Sequence, residues 1–300
     1  MEFWIIATLA AAFFQTLRFM LQKVLATEAL SAAGSTLARF AYAQPGAWAV
    51  LAAYLWWRDA PFPEVGLAFW AWGLAGGVGQ ILATVLVVML FRERNFAVGI
   101  TLKKTEVIQT AILGLVLLGE TISVGGWAAI GLGLMGVLLL SRSPGGVARG
   151  WRDLGSRAVV MGVASGFFFA VSGVGYRAAT LQVDAVDPFL RAVVTLGFVN
   201  LMQCLVMLPW LALWEPGQIS AVWRVRRVAV WLGLTSMAGS LGWFTAFTQQ
   251  TAAYVFALGQ VELIFSLMAS VLFFREKVSL RELAGIATLT VSIMVLVLAG

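Results

Sequence analysis

The chain has 300 residues, of which 61% are hydrophobic and 11% are charged. Its mean hydropathy of +0.93 excludes an ordinary soluble domain, in which roughly 25% of residues are charged, and indicates a polytopic membrane protein. Many of the arginines behind the net charge of +6 lie at the ends of apolar runs, so the charge indicates orientation in a membrane and no nucleic-acid partner.

Ten apolar runs, each near the length of a membrane-spanning helix, follow one another along the chain. They cover residues 3–25, 33–57, 66–91, 97–118, 122–141, 156–178, 187–213, 226–248, 252–274 and 279–299. The first run is too long for the core of a signal peptide and lacks a basic leader. We therefore predict an all-α fold with ten transmembrane helices.

The largest polar link joins the fifth run to the sixth and is rich in Gly and Arg. It predicts a first five-helix repeat at residues 1–143, a linker at 144–155 and a second repeat at 156–300. An odd number of helices per repeat puts the two copies in opposite orientations. Inverted repeats of this kind are typical of secondary transporters, which bind substrate near the membrane midplane where the copies meet.

The fourth run carries ionisable residues well inside it, where they are costly unless they face protein or a watery cavity. These residues are Lys103, Lys104 and Glu106. Adding 156 to each position superimposes this run on the ninth, so that Glu106 falls on Glu262 and Lys104 on Gln260. Both copies place small and polar residues at helical spacing, which predicts that both line one shared cavity.

A set of inward-facing polar and aromatic positions is predicted to bind the substrate. The set comprises Lys103, Glu106, Glu262, Arg18, Lys104, Gln260, Trp243, Phe14, Thr110 and Ser266. Glu262 and Glu106 are also the predicted carriers of a proton, although Lys103, one turn away, could simply neutralise Glu106. Lys103 and Lys104 point about 100° apart on a regular helix, so we expect them to face different places.

Three arginines lie inside the first, second and seventh apolar runs. Arg18 is predicted to line the cavity or to pair with a buried glutamate. Arg39 and Arg191 lie near the ends of their helices, where long side chains can extend to the lipid headgroups. Glu120, just before Ser123, is predicted to cap a helix or anchor a loop.

Several of these features resemble the EamA-type, ten-helix branch of the drug/metabolite transporter superfamily. They are the five-plus-five plan, the Arg near the start of the second and seventh runs, and the segments Leu118-Gly119-Glu120 and Phe274-Arg275-Glu276. The resemblance implies export or exchange of small metabolites, amino acids or drugs by alternating access through a central cavity. The chain departs from the pattern at Val107 and Leu263, where similar proteins often have proline, so a different bend is expected in these helices.

Lys and Arg are concentrated in the loops after the third, fifth, seventh and ninth runs, and the opposite loops hold little more than Arg58. This bias predicts that those loops are cytoplasmic and that both termini lie outside a bacterial-type inner membrane.

We expect a proton-coupled transporter that exports a small amphipathic, amino-acid-like metabolite, either zwitterionic or anionic. Its partners would be that substrate, a proton and membrane lipid, and the protein would be a monomer or a homodimer. Because the chain lacks histidine, His-zinc proteases, Ser-His proteases and His-ligated haem proteins are excluded in their usual forms. We therefore predict no enzymatic activity, no metal and no cofactor.

Two alternatives remain open from the sequence. The lysines, together with Arg18, would also suit an exchanger of phosphorylated sugars or nucleotide sugars. A membrane scaffold or receptor that binds a ligand without moving it would show a solid, Gly-packed core in place of a cavity.

Overall fold

The structure, a computed structural model, describes residues 2–90, 102–140, 157–265, 268 and 280–299. These residues form eleven helices, labelled α1 to α11 in chain order. Their bounds are Phe3–Glu28, Ala32–Arg58, Leu67–Leu90, Glu106–Leu118, Val124–Leu140, Arg157–Leu181, Pro188–Trp214, Gln218–Arg224, Arg226–Gln249, Ala252–Gly259 and Leu280–Ala299. The predicted all-α class is confirmed, and the only extended pairing among the described residues is one isolated bridge between Val65 and Val183.

Each predicted apolar run coincides with one helix over most or part of its length. Five of the described helices, α1, α3, α6, α7 and α9, are long and apolar enough to cross a membrane. The short helix α8 was not predicted and lies in the connection between the seventh and eighth runs. The predicted linker at 144–155 lies outside the described residues, so its bounds stay a prediction.

Local sequence explains where the long helices begin and end. The Ser31 side chain accepts a hydrogen bond from Gly34 N and starts α2, which ends at Asp59 in a left-handed conformation with φ 47°. The Asp187 side chain accepts a bond from Phe189 N in the same way at the start of α7. Such caps satisfy backbone N–H groups that the first helical turn leaves without partners.

The most extensive helix contacts join the two halves of the chain. The pairs α5–α11 and α2–α7 each join corresponding helices of the two repeats. The contact of α3 with α6 has its counterpart in the contact of α9 with α1, in which each helix is replaced by the corresponding helix of the other repeat. In the same way, the contact of α4 with α6 corresponds to that of α10 with α1. Exchanging the two halves therefore reproduces the same packing, as expected of two repeats related by a two-fold axis.

Glycine lets the backbones of α3 and α6 approach each other closely. A Cβ added to Gly175 would lie 2.9 Å from the Gly76 Cα and 3.0 Å from the Trp72 carbonyl oxygen. At the matching crossing of α1 and α9, a Cβ on Gly242 would lie 2.7 Å from the Ala7 carbonyl oxygen. Small residues at such crossings are the usual means by which membrane helices pack.

We expect Gly175→Ala to lower the melting temperature of the purified protein, because forcing a methyl group between two helix backbones costs about 1–3 kcal/mol. Gly131→Ala in α5 is the matched control, since nothing lies within 4 Å of a Cβ placed there. The control should leave the melting temperature almost unchanged. Equal shifts for the two variants would contradict the close crossing.

Candidate functional site

The fourth and ninth apolar runs are each broken at the same register of the repeat. In the first half, Leu102 and Lys103 are helical, Lys104 and Thr105 form a turn, and α4 begins at Glu106. In the second half, α10 ends at Gly259 and the helix resumes at Glu262 after a turn. Each glutamate therefore stands in the first turn of a helical segment, where a negative charge is favourable.

The break in the first half has a local cause that is not proline. Thr105 N donates to the Leu102 carbonyl oxygen at 3.1 Å, an i to i−3 contact tighter than the α-helical spacing. The Thr105 hydroxyl also donates to this oxygen, at 2.7 Å. Threonine bonds of this kind bend helices. The run is thus interrupted at this point although Val107 stands where similar proteins often have proline.

Four buried charges meet where the two breaks face each other. Lys103 Nζ lies 3.1 Å from Glu106 Oε2 within its own half. Lys104 forms an ion pair with Glu262 of the other half. Lys103 Nζ also lies 4.0 Å from Glu262 Oε1. All four residues are at most 7% exposed, and their formal charges cancel. We call this group the charge cluster.

The expectation that the two lysines face different places is wrong. Both Lys103 and Lys104 line the same cavity, and both lie within 4.0 Å of Glu262. The 100° separation holds only on a continuous helix, and the turn at Lys104 and Thr105 re-aims the second side chain. Glu262, which has no cation on its own helix, gains one from the first half.

A hydrogen-bond chain holds the free side of Glu262. Gln15 Nε2 of α1 donates to Glu262 Oε2. Trp243 Nε1 of α9 donates in turn to Gln15 Oε1 at 3.1 Å. The indole lies against Gly259, where any Cβ would collide with the ring. The Glu262 carboxylate is therefore oriented by one cation and one amide.

The charge cluster forms one wall of a cavity between the halves, and aromatic rings form much of the rest. The described lining residues are Gln15, Gln80, Lys103, Lys104, Glu106, Phe169, Ser172, Tyr176, Ser240, Trp243, Phe244, Phe247, Phe256, Gly259 and Glu262. The volume open to the centres of water molecules is about 30 Å³. That is room for about two waters, so this conformation encloses the site tightly.

Some predicted site residues do not line this cavity. Thr110 donates its hydroxyl to the Glu106 carbonyl oxygen at 2.6 Å. Phe14 packs at the α1–α9 crossing beside Gly239. The Gln260 side-chain oxygen lies near Gly133 of α5, on the other side of its helix. Ser266 lies outside the described residues. Arg18 of α1 is likewise not among the lining residues.

The prediction also missed lining residues on α6, chiefly Phe169, Ser172 and Tyr176. The repeat could have identified them, since they fall 154 positions after Gln15, Arg18 and Gln22 of α1. The α1 positions are polar or charged and therefore unusual in an apolar run. The corresponding residues of α6 are aromatic or small, which is ordinary in a membrane helix, so composition alone did not identify them.

Arg39 does not extend to the headgroups as expected. It is 3% exposed, and its Nε donates to the Ser236 hydroxyl at 2.8 Å. Arg191, at the corresponding place in the second half, donates instead to the Ala185 carbonyl oxygen of the preceding loop. The two arginines therefore have different environments despite their matching positions.

An ion pair joins three helix ends at one face of the bundle. Arg177 Nε of α6 donates to Glu120 Oε1 at 2.9 Å, and its Nη1 donates to the Phe247 carbonyl oxygen near the end of α9 at 2.6 Å. Glu120 follows Gly119, which ends α4 with φ 67°. Glu120 thus anchors the loop after α4, which is one of its two predicted roles. The cap of α5 is Ser123, whose hydroxyl accepts from Gly126 N.

Comparisons with known proteins agree with this architecture. A model of the EamA-like transporter family matches the chain twice, at residues 2–142 and 156–298. No curated protein matches the sequence. Among solved structures, 28 chains match. One, described only as a crystal structure of a protein, is 16% identical, covers 98% of this chain and 97% of its own, and superposes with a TM-score of 0.70. At that identity the likeness shows the fold alone.

The charge cluster predicts strong coupling between Lys103 and Glu106. Lys103→Met or Glu106→Gln alone should destabilise the protein by about 3–5 kcal/mol, because each leaves a buried charge without its partner. The double variant should lose less than the sum, with a coupling of about 1–3 kcal/mol in a double-mutant cycle of unfolding free energies.

Glu120→Gln supplies the matched control for this cycle, since its carboxylate pairs with Arg177. Combined with Lys103→Met, its effect should add without coupling. Additive behaviour of the Lys103 and Glu106 variants would contradict their pairing.

Proposed function

Because the chain belongs to the EamA-like transporter family, whose model covers both halves, we propose that it exports a small zwitterionic or anionic metabolite through the central cavity. It is a multi-pass membrane protein of the drug/metabolite transporter type. The proposal adds the substrate class, the coupling to protons and the direction.

The observation that carries the proposal is the ion pair between Lys104 and Glu262, which joins the two halves inside the cavity. Secondary transporters with inverted repeats bind substrate at discontinuous helices near the repeat interface. Here both broken helices deliver charge to that interface. A movement of one half against the other must therefore change the partners of these charges.

The chemistry of the wall suits a molecule with charged ends and an apolar body. Lys103 and Lys104 can bind a carboxylate, and Glu106 and Glu262 can bind an amine. Tyr176 and Phe244 lie with ring centroids 4.5 Å apart, and Trp243 stacks on Phe247 at 6.1 Å. These rings offer an apolar surface beside the charges, as is usual in small-molecule sites.

Glu262 is the proposed proton carrier. When its carboxylate takes up a proton, the ion pair with Lys104 is weakened, and the lysine is released for the substrate carboxylate. When the proton leaves, Glu262 again competes with the substrate for the lysine. The two ligands would thus be linked through one cation. Glu106 keeps Lys103 at 3.1 Å and could act in the same way.

Alternating access requires each face to close in turn, and the Arg177–Glu120 pair is suited to one closure. It connects the ends of α4 and α6 with α9, on the side of the membrane where both termini lie. The excess of Lys and Arg in the opposite loops supports an exterior location for this face. The tight cavity then corresponds to a state closed toward the exterior.

An exchanger of phosphorylated compounds is the second candidate, and the buried charge favours it over a carrier of organic cations. The buried charged residues that the structure describes are four cations and two carboxylates. Buried residues with this surplus of positive charge disfavour a cationic substrate in the adjacent cavity and attract a phosphate.

The proton role predicts that Glu262→Gln loses most of its dependence on a pH gradient. Currents from proteoliposomes on a solid-supported membrane would be recorded with a mixture of amino acids as the probe. Glu64→Gln, an exposed carboxylate in the loop before α3, is the control and should behave as wild type.

Full gradient-driven transport by Glu262→Gln would end the proton role. Counterflow of a sugar phosphate by wild-type protein, independent of pH gradient, would instead establish the second candidate.

A further inference from the structure

We propose that Arg18 and Arg39, with Gln22, form an oxyanion subsite one helical turn from the charge cluster, which binds the carboxylate or phosphate of the substrate. The inference rests on the proposed function and deepens it, because it adds the arginines to the lysines as groups that hold an anionic part of the substrate.

Arg18 has donors that nothing in the described structure satisfies. Its side chain is 2% exposed, and its Nη1 donates to Gln22 Oε1 at 3.3 Å. Its Nη2 is buried without a hydrogen-bond partner, as is the Gln22 amide nitrogen. Two buried nitrogen atoms on neighbouring side chains therefore lack an acceptor. Burying unsatisfied donors is unfavourable, and an incoming acceptor would recover that free energy.

Arg39 has only neutral partners. Its Nε donates to the Ser236 hydroxyl at 2.8 Å, and its Nη1 donates to the Thr84 hydroxyl at 3.0 Å. No carboxylate of the described residues forms a salt bridge with Arg39 or Arg18. Both guanidinium groups are therefore buried without a counter-charge among the described residues.

The two arginines are the source of the surplus positive charge. Lys103 and Lys104 pair with Glu106 and Glu262, which leaves Arg18 and Arg39 as an excess of two positive charges among the described buried residues. Arginine cannot relieve this situation by losing its proton. An anion can relieve it, and carboxylate and phosphate match the planar guanidinium donors best.

Three helices place this subsite next to the cavity and on the same side of it. Arg18 lies three residues after Gln15 on α1, Thr84 four after Gln80 on α3, and Ser236 four before Ser240 on α9. Gln15, Gln80 and Ser240 all line the cavity. Residues three or four apart share one helix face. Since α9 runs opposite to α1 and α3, the subsite residue on each of the three helices is displaced from the cavity toward the same membrane face.

The repeat supports the same conclusion independently. Arg18 and Gln22 fall 154 positions before Ser172 and Tyr176, which line the cavity from α6. Because a two-fold axis relates the repeats, corresponding faces of α1 and α6 point toward the central cavity from opposite sides. Arg18 and Gln22 therefore face the substrate path.

The test measures anion binding directly and needs no transport. Purified protein in neutral detergent would be melted across a concentration series of sodium phosphate or sodium acetate, against sodium chloride at equal ionic strength. Wild-type protein should show a saturable rise in melting temperature, because a ligand stabilises the state that it binds. Phosphate also stabilises proteins without binding, so the comparison between variants isolates the subsite.

Arg18→Gln and Arg39→Gln should each weaken the apparent anion affinity by about tenfold or more. Arg39→Lys, which keeps the charge but not the planar donors, should keep part of the response. Arg191→Gln is the matched control, because Arg191 occupies the corresponding place on α7 and binds a loop carbonyl. It should respond as wild type does.

Wild-type protein without a saturable response to either anion would overturn the proposal, as would equal responses in Arg18→Gln, Arg39→Gln and wild type. Nanodiscs of zwitterionic lipid, with and without an anionic lipid, distinguish a soluble anion from a lipid headgroup. If anionic lipid alone abolishes the phosphate response, the occupant is a headgroup and the substrate assignment is wrong. Binding with no transport of any probe would contradict the proposed function and leave the anion subsite standing.

Discussion

The buried ion pair between Lys104 and Glu262 is the interaction on which the centre of this molecule depends. Neither charge could be buried alone in an apolar bundle at an acceptable cost, so the partner must come from the other half. The pair forms only because both helices break just before their glutamates. Broken helices are tolerated at membrane depth where protein surrounds them or a cavity receives them.

Much of the fold could be predicted because the length of each apolar run and the repetition of a pattern can be read directly from the order of the residues. The ten runs and the all-α class required only composition and the offset between Glu106 and Glu262. The helix α8 was missed because seven polar and apolar residues outside any long run resemble a loop. The sequence predicted that both glutamates face one cavity, but it predicted different surroundings for the two lysines.

The rest of the site depends on geometry that a regular helix does not convey. Lys104 reaches Glu262 because of a turn that begins with a threonine bond, and no pattern of hydrophobicity records such a bond. Arg39 was expected at the headgroups because it lies near a helix end. Its burial instead follows from the Ser236 and Thr84 hydroxyls, which arrive from two other helices. The periodicity of a sequence does not predict contacts between segments that are distant along the chain.

The two repeats match in backbone but not in charge, and this difference has a consequence for the working cycle. Gly259 and Gln260 stand in the second half where the first has Lys103 and Lys104. If the repeats were identical, the proposed alternating-access cycle would connect two conformations of equal free energy, related by the two-fold axis. With both ammonium groups on one repeat, the conformations are inequivalent before any solute enters. In the proposed alternating-access cycle, this asymmetry would contribute to a preference for one conformation that needs no gradient.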